Sequence, residues 1–402
     1  MANDNKKYIP ALRFPEFQND GEWTTKLIKD IANTFSGGTP TVGNSDYYGG
    51  SIPFIRSGEI AKSETDLFIT ELGLSSSSAK IVEEGTILYA LYGATSGEVA
   101  ISKIRGAINQ AILAIIPKSR KYVVNYVYYF LKHQKAQILS KYLQGGQGNL
   151  SGAIIDNLSI AFPCDNNGNI SDVEQKKIAD CFVSIDKEID ATKRKLELLK
   201  EHKRGLMQRL FPAKGKTTPE LRFPEFQNDG EWIPCPLSDI LNYEQPTPYI
   251  VEDDTYKKEG TPVLTANKGF ILGYTDESLG IYNKLPVIIF DDFTTDKKYV
   301  DFPFKIKSSA IKLLTLKDEE RDNLRFVFEC MNNIVFEEKE HKRYYISEYQ
   351  YINIYVPSSL QEQNQIADTL LSVDKQITEY DKKIKALELH KKGLMQQLFP
   401  KL

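Results

Sequence analysis

Apolar residues recur at alternating steps of four and three over two long stretches. The first holds Ile178, Phe182, Ile185, Ile189, Leu196, Leu199, Leu206 and Leu210, with Thr192 and Lys203 at two of the steps. The second holds Ile366, Leu370, Val373, Ile377, Ile384, Leu387, Leu394 and Leu398, with Tyr380 and Lys391 at the same two steps. A mean spacing of 3.5 residues predicts heptad seams and a left-handed supercoil. Ser171 and Asp172 suit the start of the first helix, and Pro212 and Pro400 stop the two helices. At ~1.5 Å per residue each helix is about 50 Å long. Their other faces are polar, so each needs a partner. Two similar seams in one chain suit an intramolecular antiparallel pair; a coiled coil between two chains is the alternative. Lys203 and Lys391 cost the seam stability but can set its register. Gly205 and Gly393 weaken both helices locally.

These stretches belong to a repeat. Glu174 to Pro212 and Glu362 to Pro400 align without gaps at an offset of 188, with 20 of 39 positions identical. A second repeat, LRFPEFQNDGEW, runs from Leu12 to Trp23 and again from Leu221 to Trp232. The order is therefore motif, block, helix, motif, block, helix. Two copies are too few for a solenoid, and they suggest two domains related by a pseudo-two-fold axis. The expected division is a flexible tail over 1–9, a domain over 10–170, a helix over 171–212, a second domain over 213–360 and a helix over 361–402. Gly and Asp in QNDGEW suit a turn, and Phe14, Phe17 and Trp23 suit packing onto a neighbour.

The blocks between motif and helix are unlike each other. In the first, GTILYALYG and GEVAISKI are short apolar runs bounded by glycine and read as strands. VNYVYYFLKHQKAQILSKYL reads as a helix ended by Gly145 and Gly146. In the second, TPVLTA, GFILGYT, PVIIFDDF and AIKLL read as strands and LRFVFECMNN as a helix. Both blocks are mixed α+β.

Charge is unevenly placed. No Asp or Glu occurs from Val99 to Ile155, whereas Lys103, Arg105, Lys118, Arg120, Lys121, Lys132, Lys135 and Lys141 do. Tyr122, Tyr126, Tyr128, Tyr129 and Tyr142 are interleaved with them. An acid-free run of cations suits phosphate contact; core packing is the competing explanation for the tyrosines. Gln144, Gln147 and Asn149 lie in a glycine-rich turn, and amides suit adenine edges in the major groove. The second block offers Lys297, Lys298, Lys305 and Lys307, then His341, Lys342 and Arg343. Removing Lys132, Lys135 and Lys141 together is expected to weaken binding to every DNA sequence and lower its salt dependence.

Composition narrows the class. The chain has 402 residues, 41% hydrophobic, with a net charge of −3, which suits two or more globular domains. Four scattered cysteines fit neither a zinc site nor a disulfide framework. They suit a reduced, cytoplasmic setting. No apolar run is long enough for a signal peptide or a membrane span.

Enzyme signatures are missing. There is no GxxxxGK[ST] loop, no GxGxxG after a strand and no metal spacing among His133, His202, His341 and His390. Asp291, Asp292 and Asp296 in FDDFTTDKK could serve a metal-dependent nuclease, but such acid sets are common on surfaces.

Two unlike blocks, each followed by a helix that begins EQxxIA and ends GLMQxLFP, resemble the specificity subunit of type I restriction-modification systems. SGGTPTVGNSDYYGGSIPFIRSGEI, GQGNLSGAIIDNLSIAFP, TPVLTANKGFILGYT and VIIFDDFTTDKKYVDFPFKIKSSA add to the resemblance, which covers nearly the whole chain. It implies two target recognition domains joined by the paired helices, each binding one half of a bipartite double-stranded DNA target. It also implies that the helices set the gap between half-sites and dock two methyltransferase subunits, with restriction subunits joining the assembly. Catalysis, and with it S-adenosylmethionine, ATP and Mg, would sit on those partners, and this chain would need no cofactor or metal. A DNA-binding regulator working as a coiled-coil dimer, and an enzyme with its own nuclease centre, are the competing readings.

Overall fold

A computed structural model of the chain describes residues 8–143, 149–266, 269–337 and 342–401. The chain forms two compact units, one of residues 1–192 and 383–402, the other of 193–382. These boundaries cut through both long helices, Asp172–Leu210 and Leu360–Leu398. Each unit thus combines one sequence block with the first half of its own helix and the last half of the other repeat's helix.

Among the described residues of the first unit ten strands form three sheets: β1 (Thr24–Leu27), β2 (Ala32–Ser36), β3 (Tyr48–Ile55), β4 (Phe68–Ile69), β5 (Lys80–Val82), β6 (Ile87–Ala90), β7 (Val99–Ile101), β8 (Gly106–Ile108), β9 (Ile112–Pro117) and β10 (Ser159–Phe162). The sheet orders are β2-β9-β6-β7, β4-β3-β8-β5 and β1-β10. Strand β6 is buried along its whole length and β9 over its first four residues. This explains their unbroken apolar sequences, since both faces are covered. The helix Val124–Leu143 packs Tyr126, Val127, Phe130 and Leu131 into the same core.

The second unit repeats the plan with, among its described residues, nine strands: β11 (Ile233–Pro236), β12 (Leu241–Glu244), β13 (Thr261–Leu264), β14 (Ile271–Thr275), β15 (Val287–Asp291), β16 (Lys297–Val300), β17 (Lys305–Ile306), β18 (Ile311–Leu316) and β19 (Asn353–Val356). Their orders are β12-β18-β15-β16, β14-β13-β17 and β11-β19. The block helix is shorter here, Leu324–Asn332, capped by the Asn323 side chain.

The helix pairing is antiparallel and intramolecular, as the seams predict. In the first unit Phe182 stacks on Phe399 at 5.6 Å, Asp186 pairs with Lys391 and Glu188 with Lys383. Residue numbers rise on one helix as they fall on the other. In the second unit Lys203 pairs with Asp374 at 2.7 Å, and Leu210 shares a core with Ile366 and Leu370. All fifteen aliphatic and aromatic seam residues from Ile178 to Leu206 and from Ile366 to Leu394 are buried or half-buried.

The duplicated motif closes each unit. Arg13 holds Glu174 through two bonds of 2.7 Å, and Arg222 holds Glu362 through two of 2.8 Å. The Leu12 N–H donates to the Gln397 carbonyl, and the Leu221 N–H to that of Arg209. Trp23 lies 6.4 Å from Tyr126, and Trp232 lies 5.6 Å from Phe326. Of the tail expected over residues 1–9 only Tyr8 and Ile9 are among the described residues, and Tyr8 bridges Trp23 and packs on the core.

Candidate nucleic-acid interface

Neighbouring strands in β2-β9-β6-β7 are all antiparallel. The C-terminal ends of β2 and β6 and the N-terminal ends of β9 and β7 therefore lie at one edge of the sheet. That edge carries Gly37, Gly38 and Thr39 after β2, Tyr92 after β6, and Asn109 and Gln110 before β9. The Thr39 hydroxyl meets Gln110 Oε1 at 2.5 Å, and Gln110 also bonds Tyr92. The Leu150 N–H donates to the Leu91 carbonyl at 3.0 Å, which brings exposed Asn149 to the same rim. Gly37 is required there, because a Cβ would lie 1.7 Å from the Ile108 carbonyl oxygen. Burial pushes the Tyr92 hydroxyl above its ordinary pKa, so it stays a donor. The set around Gln110 is uncharged and offers both donors and acceptors, the chemistry of base-edge reading, while Glu98, before β7 at the same edge, is paired with Lys135.

The equivalent edge of β12-β18-β15-β16 is built differently. Lys312 Nζ lies 3.2 Å from Asp292 Oδ2 and 3.1 Å from Gln245 Oε1, with Lys312 and Asp292 each 1% exposed. Asp292 also accepts from the Tyr345 N–H at 2.8 Å, and its carbonyl accepts from Tyr344. This buried network satisfies its charges internally and pins the segment carrying Lys342 and Arg343. Arg343 then lies 5.8 Å over the Phe293 ring. Lys297 stands at the same edge, with its pKa lowered by burial. The second rim therefore mixes charge: Arg343 over Phe293 and Lys297 stand with exposed Asp296, and Lys342 is paired with Glu348; its arginine suits phosphate oxygens and guanine edges.

Residues 20–201 match the family model described as the type I restriction modification DNA specificity domain. The match takes in the first block and most of the first long helix. The chain is similar to the EcoR124I/EcoR124II specificity subunit of Escherichia coli, 49% identical over 146 residues, and to the MjaIX specificity subunit of Methanocaldococcus jannaschii, 32% identical over 188. These matches cover 34% and 45% of this chain, and only 36% and 41% of the relatives. The likeness of fold extends further. The S subunit from M. genitalium superposes with a TM-score of 0.70 over 98% of this chain and 99% of that one, at 15% identity.

The sequence candidates for DNA contact separate into groups. Lys103 is exposed in the turn between β7 and β8, and Lys298 is half-buried on β16. Among the described residues neither makes an ion pair. Arg105 pairs with Glu83, Lys135 with Glu98, Lys307 with Asp254 and Lys342 with Glu348, all at exposed or half-exposed positions. Lys141 lies over the Tyr142 ring at 5.3 Å. Lys132 bonds the Tyr128 hydroxyl and feels the Asp186 carboxylate, so it faces the helical frame rather than the rim. Lys305 is a correction. It is only 3% exposed, pairs with Glu277 at 2.5 Å and donates to the Leu279 carbonyl at 2.7 Å, so it is an internal structural cation. Gln144, Gln147 and His341 lie outside the described residues.

The acid-free run has a second cause besides its surface cations. Tyr122, Tyr126 and Tyr129 are buried, and β9 is core. Carboxylates are excluded there by burial. The acids of FDDFTTDKK have local duties: Asp291 accepts from the Phe293 and Thr294 N–H groups, and Asp292 pairs with Lys312. Among the described residues no group of three or more His, Cys, Asp or Glu is placed to hold a metal. Likewise no helix there is long and apolar enough to cross a membrane. Sequence reading missed Thr39, Tyr92, Gln110 and Phe293. Each follows or precedes a strand in a turn, but only the strand order shows which turns share an edge.

Proposed function

We propose that this chain is the DNA-reading subunit of a type I restriction-modification complex, with each unit contacting one half of an asymmetric bipartite double-stranded target. The observation that carries this is the contrast between the two sheet edges. The surrounding frame repeats, with 20 of 39 helix-repeat positions identical, yet one rim centres on the neutral set Thr39, Tyr92 and Gln110 and the other on Arg343 over Phe293 above a buried Lys312–Asp292 pair. Chemically different rims on repeated supports suit two different half-sites.

The long helices set the spacer between half-sites and provide the docking surface for two methyltransferase subunits. Restriction subunits join the same assembly, which works in the cytoplasm. This chain performs no catalysis; S-adenosylmethionine, ATP and Mg belong to the partners. Mapping methyladenine genome-wide with and without the chain tests the reading. An asymmetric two-part motif lost with the chain supports it, and an unchanged pattern rejects it. Exchanging residues 24–173 for another block is expected to alter one half-site only. Extending both long helices by one turn is expected to lengthen the spacer and leave both half-sites intact.

A further inference from the structure

Each unit contains a polar junction where three helices meet. In the first, Lys391 of the second long helix pairs with Asp186 of the first at 2.5 Å. The Tyr129 hydroxyl, from the block helix Val124–Leu143, donates to the same Asp186 at 2.8 Å, and Lys391 lies 5.0 Å over the Tyr129 ring. In the second unit Lys203 pairs with Asp374 at 2.7 Å. Lys203 and Asp374 are the repeat equivalents of Lys391 and Asp186, at the offset of 188.

The block helices enter these junctions in matching register. The Val123 N–H donates to Gln175 Oε1 at 3.0 Å, and the Asn323 N–H to Gln363 Oε1 at 2.9 Å. This makes Tyr129 the counterpart of Glu329, and Asn125 the counterpart of Arg325. The side chains at these counterparts differ in charge. Glu329 is fully buried and lies 3.6 Å from Lys203. Its carboxylate is held by Arg325, four residues earlier on the same helix face, at 2.9 Å, and Arg325 also reaches Asp374.

We propose that the repeated Lys–Asp pair is a socket that admits only charge-balanced block helices. One solution presents a neutral hydroxyl at the socket position, as Tyr129 does. The other presents a carboxylate there together with its own arginine one turn earlier, as Glu329 and Arg325 do. A lone carboxylate at position 129 would add a buried acid beside part-exposed Asp186 and exposed Asp190, three acids against Lys391 and Lys132. A lone arginine loss would leave Glu329 buried with a single distant cation. Both arrangements carry an uncompensated buried charge, which is costly. Block exchange between such chains is then governed by this residue pair as well as by the DNA-facing rim. The inference rests on the fold and stands apart from what the rims bind.

Compensation in the full chain tests it. Tyr129→Glu alone is expected to lower Tm by roughly 5–10 °C, and Asn125→Arg added to it is expected to recover most of that loss. Conversely, Arg325→Asn alone is expected to lower Tm, and Arg325→Asn with Glu329→Tyr to recover it. Should a single variant yield no folded chain, recovery of soluble folded protein by its double variant is the readout. Double variants no better than the singles in both units would overturn the proposal, because a purely steric role gives no rescue by charge.

Discussion

Arg13 and Glu174, 161 positions apart, form a two-pronged ion pair whose carboxylate is wholly buried. Glu174 keeps the Arg13 guanidinium charged, while burial outweighs that partner and raises the Glu174 pKa. The pair is therefore a fixed clamp whose loss strands a buried acid. Arg13→Ala is expected to destabilise the first unit by about 3–5 kcal/mol, measured by denaturant unfolding. Glu174→Gln removes the carboxylate from Arg13 but leaves that guanidinium bonded to the Asp20, Gly21 and Cys164 carbonyls, and is expected to cost less.

The two tryptophans of the duplicated motif differ in one bond. Trp232 Nε1 donates to Glu362 at 3.3 Å, whereas Trp23 Nε1 is buried without a protein partner. Trp232→Phe is expected to cost about 1 kcal/mol more than Trp23→Phe. Equal losses in calorimetry would show that the Trp232 bond contributes nothing. Either tryptophan changed to alanine is expected to impair folding or assembly and leave sequence preference intact.

Acid titrates a loop in the first unit. Bonds from the Arg56 side chain, then the Asp66 and Arg56 N–H groups, hold the Glu59 carboxyl at about 2, against 4.5. The folded pKa is the lower one. The stability this contributes is therefore present above pH 4.5 and is lost as pH falls toward 2. Glu59→Gln is expected to flatten the pH dependence of Tm over that window.

Gly205 and Gly393 sit inside the long helices, and a Cβ at either would meet nothing within 4 Å. Gly205→Ala and Gly393→Ala are each expected to stabilise the isolated chain by about 0.5–1 kcal/mol. A loss instead would show that the free helix surface is occupied in solution.

The rims and the cations separate by readout. Gln110→Ala is expected to change discrimination at one half-site by about 1–3 kcal/mol without moving Tm. Lys103→Ala is expected to weaken binding to all sequences and reduce the salt slope by about 1. Lys305→Ala is expected to lower stability, because that lysine pairs with Glu277 inside the second unit.

By itself the sequence determined the repeated frame: the seams, the helix ends, the motif before each block and the two-unit plan. Those features are periodic or duplicated, so local spacing carries them. It also marked Lys203 and Lys391 as costly seam positions. Only the tertiary structure decided what those lysines face, since Asp374 lies 171 residues from Lys203 and Asp186 lies 205 from Lys391. It alone separated Lys305, buried on Glu277, from exposed Lys103, because composition counts a cation without its partner. It alone gathered Thr39, Tyr92 and Gln110 into one rim. Strand order and direction set which turns share an edge, and that order comes from long-range pairing that no local pattern encodes.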